Sequence, residues 1–337
     1  MAIQLTVIGL NRVGVSIGLA LHNNTQQIER IGTSAEDSVE KKAMNLKAFD
    51  RVVHNLISAV ENADIVVLCL PVDKVCSNLE IIAPVLKSGA VVLDTSPLNI
   101  AVFQWAKDLL PDERYLINFK PSFNPEFIVH SDDSIEKATP DLFKSSVILI
   151  NAPPETHSEA LKLASDLATL LGAQPVFTDP YESDGLYALV GLLPKFSAAA
   201  LVLSAAHQPG WREGRKLAGQ AFFSASEPIM HLDEQNKLGQ AAVLNSDNAI
   251  RLLDALIGEL EDLRDMIANF DEEALSKALG EAQANRITWW KERQEALWDS
   301  PSSSPIIPAS GQLLGRLLGL GKRPKEELKS KKPSKFL

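Results

Sequence analysis

The stretch Leu5-Thr-Val-Ile-Gly-Leu-Asn-Arg-Val-Gly14 puts Gly9, Asn11 and Gly14 at the three glycine positions of a G-x-G-x-x-G turn, between an apolar strand and a helix. That spacing suits a dinucleotide. The first glycine makes a tight turn, the second lets backbone approach a pyrophosphate, and the third packs helix on strand. Backbone from Gly9 through Asn11, Arg12 and Val13 to Gly14 is therefore the candidate pyrophosphate site. Asn11 breaks the motif at its middle position. An asparagine tolerates the left-handed backbone that glycine favours, but its side chain occupies space beside the phosphates. It is either a cofactor ligand or an obstacle.

The second strand, Ile28 to Thr33, ends in Gly32-Thr33-Ser34. An acid there would bond the ribose hydroxyls of NAD and repel the 2′-phosphate of NADP. Thr33 and Ser34 are candidate ribose contacts instead. Glu36 and Asp37 read as first-turn acids of a helix capped by Ser34. NAD and NADP both stay open as cofactor.

These residues need a frame, and the chain supplies one. Asn62 to Pro71, Gly89 to Leu93, Tyr115 to Asn118 and Ser146 to Ile150 read as strands, with helices over Asp73 to Leu86 and Ile100 to Leu110. Alternating strands and helices predict an α/β fold, a doubly wound, mainly parallel sheet of Rossmann type. Ligands of such sheets bind at the carboxyl ends of the strands. That adds Leu70, Pro71, Thr95, Ser96 and the segment after Asn118 to the candidate site.

Composition narrows the class. The 337 residues carry a formal net charge of −10, with 45% hydrophobic and 23% charged residues. The balance is that of a globular chain, and the negative charge disfavours nucleic acid as a partner. The first residues lack a basic region and cleavage site, and no apolar run is read as a bilayer span, so the expected location is cytoplasmic. Cys69 and Cys76 are read as buried structural thiols. The histidines at 54, 130, 157, 207 and 231 lack ligand spacing, and no metal is expected.

The order of segments resembles the prephenate and arogenate dehydrogenases of tyrosine biosynthesis. Leu70-Pro71, Asp94-Thr-Ser96, Lys120-Pro121, Gly172-Ala173, Asp179-Pro180 and Leu189-Val-Gly-Leu-Leu-Pro194 carry it nearly to Trp298. The resemblance implies NAD(P)-dependent oxidation of a cyclohexadienol with decarboxylation. It implies a histidine base where Lys120 stands, a partner serine where Pro97 stands, and a Ser-His-Leu-Pro-His segment where Gly191-Leu-Leu-Pro-Lys195 stands. The arginine expected to grip a substrate carboxylate has no counterpart in Ala221 to Pro228.

Several functional positions therefore change together. Lys120 is the candidate base or proton donor, with Lys195 as a second cation, because desolvation and an oxidised nicotinamide would both depress a lysine pKa. The alternatives are a degenerate member that serves as a binding or regulatory protein, and a reductase in which Lys195 is catalytic. Asn124 and Glu126 either line the crevice or close a turn.

The predicted domains are 1–178, dinucleotide-binding; 179–299, helical, for substrate and dimerisation; and 300–337, a flexible basic tail. Leu186 to Ala206 is apolar almost all round and needs burial on several sides. Ile250 to Ile267 and Glu273 to Trp298 are more amphipathic, and the resemblance implies a homodimer formed through such helices. Trp289-Trp290 is read as packing. The tail begins with Ser-Pro-Ser-Ser-Ser-Pro and ends in lysines; it is read as solvated, with attachment to an anionic membrane surface as the weaker option.

Overall fold

The computed structural model describes residues 2–24, 27–128, 134–230 and 237–296. The basic tail, Trp298, His130 and His231 lie outside the described residues.

Eight strands form one sheet: β1 (Ile3–Ile8), β2 (Ile28–Thr33), β3 (Arg51–Val52), β4 (Ile65–Leu68), β5 (Val91–Asp94), β6 (Tyr115–Pro121), β7 (Val147–Asn151) and β8 (Gln174–Phe177). Their order is β3-β2-β1-β4-β5-β6-β7-β8, and every neighbouring pair is parallel except β6 with β7. The connections from β1 run outward to β2 and β3, then return past β1 to β4. The switch point therefore lies between β1 and β4, where doubly wound sheets open a crevice for ligand.

Helices α1 (Arg12–Ala20), α2 (Asp37–Asn45), α3 (Leu56–Val60), α4 (Val72–Ile82), α5 (Ile100–Leu109) and α6 (Ser158–Leu170) cover the two faces. Strand residues alternate between these faces. Leu5, Val7, Val67, Leu93, Ile117 and Phe119 pack into one core; Val66, Leu68, Val92 and Leu116 join Val75, Leu79 and Ile82 of α4 in the other. The buried strands read as continuous apolar runs because both faces are covered.

Beyond β8 the described chain is helical: α7 (Pro180–Tyr187), α8 (Leu193–Ala206), α9 (Trp211–Leu217), α10 (Gln220–Ser226), α11 (Lys237–Leu244), α12 (Ser246–Ala268) and α13 (Glu272–Glu295). Asp179 caps α7 by accepting from Tyr181 N and Glu182 N, with Pro180 in the first turn. A π-helical stretch, Ala188–Leu192, joins α7 to α8. Ala188, Leu192, Ala249 and Leu252 pack with Val72 and Leu98, so the helical region rests on the α4 and α5 side of the sheet.

Three expectations change. Pro180–Ala206 forms a 27-residue helix long and apolar enough to cross a membrane by length and composition, and only 17% of its most apolar window is buried, against the expected burial on several sides. Helix α2 begins at Asp37 with Glu36 as cap position, since Ser34 Oγ accepts from Glu36 N and closes a turn of its own. Cys69 is buried, but Cys76 is only half-buried.

Candidate active site

The turn after β1 is built on Gly9, whose φ of +93° is strained for any side chain; a Cβ there would stand 2.3 Å from Cys69 O. At Gly14 a Cβ would stand 2.2 Å from Gly9 O, so both glycines are required for α1 to seat against the turn. Asn11 is not left-handed. Its φ of −79° and ψ of −174° are extended, and it is the N-cap of α1. Asn11 Oδ1 accepts from Gly14 N at 3.0 Å, and Asn11 Nδ2 donates to Cys69 O at 3.0 Å. One amide thus ties the β1 turn to the end of β4 across the switch point.

The Arg12 side chain reaches the loop after β6. It is buried, donates to Phe127 O at 3.3 Å and lies over the Phe123 ring. These contacts secure the loop after β6. Val13 is half-buried in the first turn of α1. Pro71 is the N-cap of α4 without a side-chain bond, and Leu70 precedes it. The N-termini of α1 and α4 therefore flank the crevice, and helix N-termini favour phosphate. This geometry fits a dinucleotide pyrophosphate.

At the far end of β2, Thr33 is buried, and Ser34 N donates to Glu40 Oε1 at 3.1 Å. Glu40 Oε2 lies 3.2 Å from His54 Nδ1, and Asp37 Oδ1 lies 3.3 Å from the same nitrogen. The acid missing from the end of β2 in sequence arrives from α2 instead. His54, read as scattered, is part of that group.

Between β5 and β6 the polar residues converge. Asp94 pairs with Asn118 in register, and Lys120 follows Asn118 by two, so all three share one face. Asp94 Oδ2 accepts from Ser96 Oγ at 2.5 Å and from Asn118 Nδ2 at 3.1 Å. Ser96 is buried with its hydroxyl committed to Asp94, while Thr95 Oγ1 donates to Leu68 O at 2.9 Å. Lys120 Nζ donates to Ser183 Oγ at 3.2 Å and lies 3.6 Å from Asp184 Oδ1. Burial pushes Asp94 up to about 6, against the pull of Ser96, Lys120 and Asn118. Burial brings Lys120 down to about 8, against Asp184 and Asp94. Asn99 Oδ1 and Asn118 Oδ1 are buried acceptors without a hydrogen-bond partner among the described residues.

Lys195 does not join this group. It is half-buried on the first turn of α8 and makes no ion pair or hydrogen bond with Lys120, Ser183 or Asp184. Asn124 closes a turn by accepting from Glu126 N, the second of its two readings. Ser183, Asp184 and Asn99 were not singled out by spacing. Arg293 was missed as well: from the last turn of α13 it donates to Ser122 Oγ and Phe123 O, just past Lys120.

Residues 17–177 match the family described as prephenate dehydrogenase, nucleotide-binding domain. The matched stretch, from α1 through β8, is similar to the nucleotide-binding domain of that family. A cyclohexadienyl dehydrogenase of Zymomonas mobilis is 23% identical over 292 residues, 84% of this chain and 95% of that protein. A prephenate dehydrogenase of Bacillus subtilis is 23% identical over 274 residues, 79% of this chain and 71% of that protein. In fold, the chain is similar to a prephenate dehydrogenase from A. aeolicus solved with hydroxyphenyl propionate and NAD+, at a TM-score of 0.75 and 19% identity, covering 86% of this chain and 98% of that one. The arogenate dehydrogenase of Synechocystis gives a TM-score of 0.70 at 22% identity, covering 85% and 100%. The match to that nucleotide-binding domain fits a nicotinamide dinucleotide at the β1–β4 crevice.

Proposed function

We propose that this chain is an NAD(P)-dependent dehydrogenase of the prephenate dehydrogenase type, oxidising a cyclohexadienol such as prephenate or arogenate with loss of carbon dioxide. The observation that carries the reading is Lys120, a largely desolvated amine at the carboxyl end of β6, where the family's histidine base would stand. Bound across the switch point, the oxidised cofactor supplies the hydride acceptor. Lys120 Nζ, in its neutral form, takes the proton of the ring hydroxyl as the same carbon loses hydride. The carboxylate carbon then leaves as carbon dioxide, and its bonding electrons make the ring aromatic. Asn99 Oδ1 and Asn118 Oδ1 support a site that receives hydrogen-bond donors.

Glu40 favours NAD over NADP, because a carboxylate on Ser34 N repels a 2′-phosphate at that end of the crevice. A second copy of the chain covers the exposed apolar side of Pro180–Ala206, of which only 17% of the most apolar window is buried. The cytoplasm is the proposed location, in keeping with biosynthetic relatives.

A second reading, a non-catalytic member, is favoured by Asn11, whose amide fills Gly14 N and spans the crevice. Titration of protein fluorescence with NAD and NADP, followed by an absorbance assay with prephenate and arogenate, tests both. Binding and turnover support the enzyme. Binding without turnover on either substrate, or no binding, supports the second reading.

A further inference from the structure

Asp184 is held more tightly than its neighbour Lys120 requires. Its Oδ1 accepts from Asn99 N and from Asn99 Nδ2, each at 2.7 Å, and its Oδ2 accepts from Ile100 N at 3.1 Å. Asn99 is the N-cap of α5 yet makes no side-chain cap bond; its amide donates to Asp184 and to Pro180 O instead. The cap of α5 is therefore a carboxylate borrowed from α7. Asn245 Nδ2 fixes the backbone of the same residue by donating to Asp184 O at 2.8 Å.

Both carboxylate oxygens are pinned by these donors, and Oδ1 is the atom that faces Lys120 Nζ. A local N-cap side chain at position 99 would satisfy the helix end as well. Borrowing the cap from α7 adds something a local cap cannot. It fixes an anion from the helical region against an amine of the sheet.

We propose that Asp184 is a positioning residue: it ties the helical region to the N-terminus of α5 and sets Lys120 Nζ in place at the carboxyl end of β6. This rests on Lys120 being the proton acceptor only for its catalytic meaning; the coupling itself stands on the geometry. The charged groups facing Lys120 are Asp184 from α7 and Asp94 from β5, with Ser183 as a neutral acceptor. Both carboxylates raise the proton affinity of the amine, against burial. Replacing Asp184 with an amide leaves Asp94 as the facing carboxylate and makes the ammonium easier to deprotonate.

The test uses the full-length protein without cofactor or substrate. Acetylation of Lys120 by limiting acetic anhydride is followed against pH by mass spectrometry in wild type and D184N. A folded D184N is expected to show a midpoint lower by about one pH unit. An unchanged midpoint in folded D184N overturns the proposal. Should D184N not fold, thermal midpoints of D184E and K120M/D184E replace it. The proposal requires D184E to cost less in the K120M background than in wild type, and equal losses overturn it. Failure of Lys120 as the base is a separate result, read as full turnover by K120M.

Discussion

Asp94 and Lys120 stand on adjacent strands and one face of the sheet, Asp94 fully buried and the Lys120 side chain 12% exposed, and desolvation displaces each toward its neutral form. A lysine in that setting loses its proton closer to neutral pH than an exposed one. With Lys120 as the base, kcat/KM rises with pH through an apparent value of about 8. The value belongs to the coupled group rather than to one residue. Replacing Lys120 with methionine or alanine lowers kcat by about 10²- to 10⁴-fold and leaves NAD binding intact. Steady-state rates between pH 6 and 10, with a separate NAD titration, check both statements.

Asp94 carries the opposite sign in stability. Its folded pKa is raised from 3.8 to about 6, so between those values the folded protein binds more protons than the unfolded chain. Stability from this group is full below the lower value and is lost as pH rises through the upper one. Asp94→Asn removes that dependence. Urea midpoints measured between pH 4 and 6.5 are expected to fall with pH more in wild type than in D94N, after correction for groups common to both.

The Rossmann half was legible because its signals are local. β2 lies where its apolar run ends in Gly32-Thr33-Ser34, and α5 nearly where its periodicity placed it. β3 and α3, two and five residues long, were too short to carry a period. The site was legible only in part. Lys120 was singled out through the resemblance in segment order, whereas Ser183 and Asp184 sit in Glu182-Ser-Asp-Gly185, which reads as a turn before an apolar helix. The signal was Asp179-Pro180, an N-cap followed by proline at the first helical position, which starts α7 earlier than the apolar pattern does. Nothing local marks the pairing of Asn99 with Asp184 or of Arg293 with the β6 loop, since each spans a long stretch of sequence.

Asn11 allows a direct test of the turn. Its side chain caps α1 and holds Cys69 O. Asn11→Ala is expected to cost about 1 kcal/mol of stability, and Asn11→Gly only a few tenths. Glycine also frees Gly14 N for a phosphate oxygen, so N11G should bind NAD more tightly than wild type. Calorimetric titration with NAD and denaturant midpoints for the two variants read these effects separately. Weaker binding by N11G would make Asn11 a ligand instead.

The proposed preference for NAD rests on Glu40 beside the end of β2. Replacing it with glutamine keeps an acceptor for Ser34 N and removes the charge. E40Q is expected to narrow the ratio of NADP to NAD dissociation constants by about tenfold, the size of one pH-unit equivalent of charge interaction. The readout is binding, not turnover. An unchanged ratio would place the discrimination elsewhere.

The apolar side of Pro180–Ala206 makes the last prediction. Val190 and Leu203 are 73% and 55% exposed, and Ile257, Leu260 and Ile267 on α12 are similarly uncovered. Patches of this kind mark association surfaces, because apolar side chains left in water forgo the burial that stabilises them. The tilted pair Trp289 and Trp290, with Arg286 over both rings, also leaves Trp289 half exposed rather than in a core. Sedimentation velocity of the wild type is expected to give a dimer at micromolar concentration. Val190→Glu with Leu203→Glu adds charges to that surface and should shift the protein to monomer, with the fold retained by circular dichroism. A wild type that sediments as monomer across the concentration range would show that a second copy does not cover these helices.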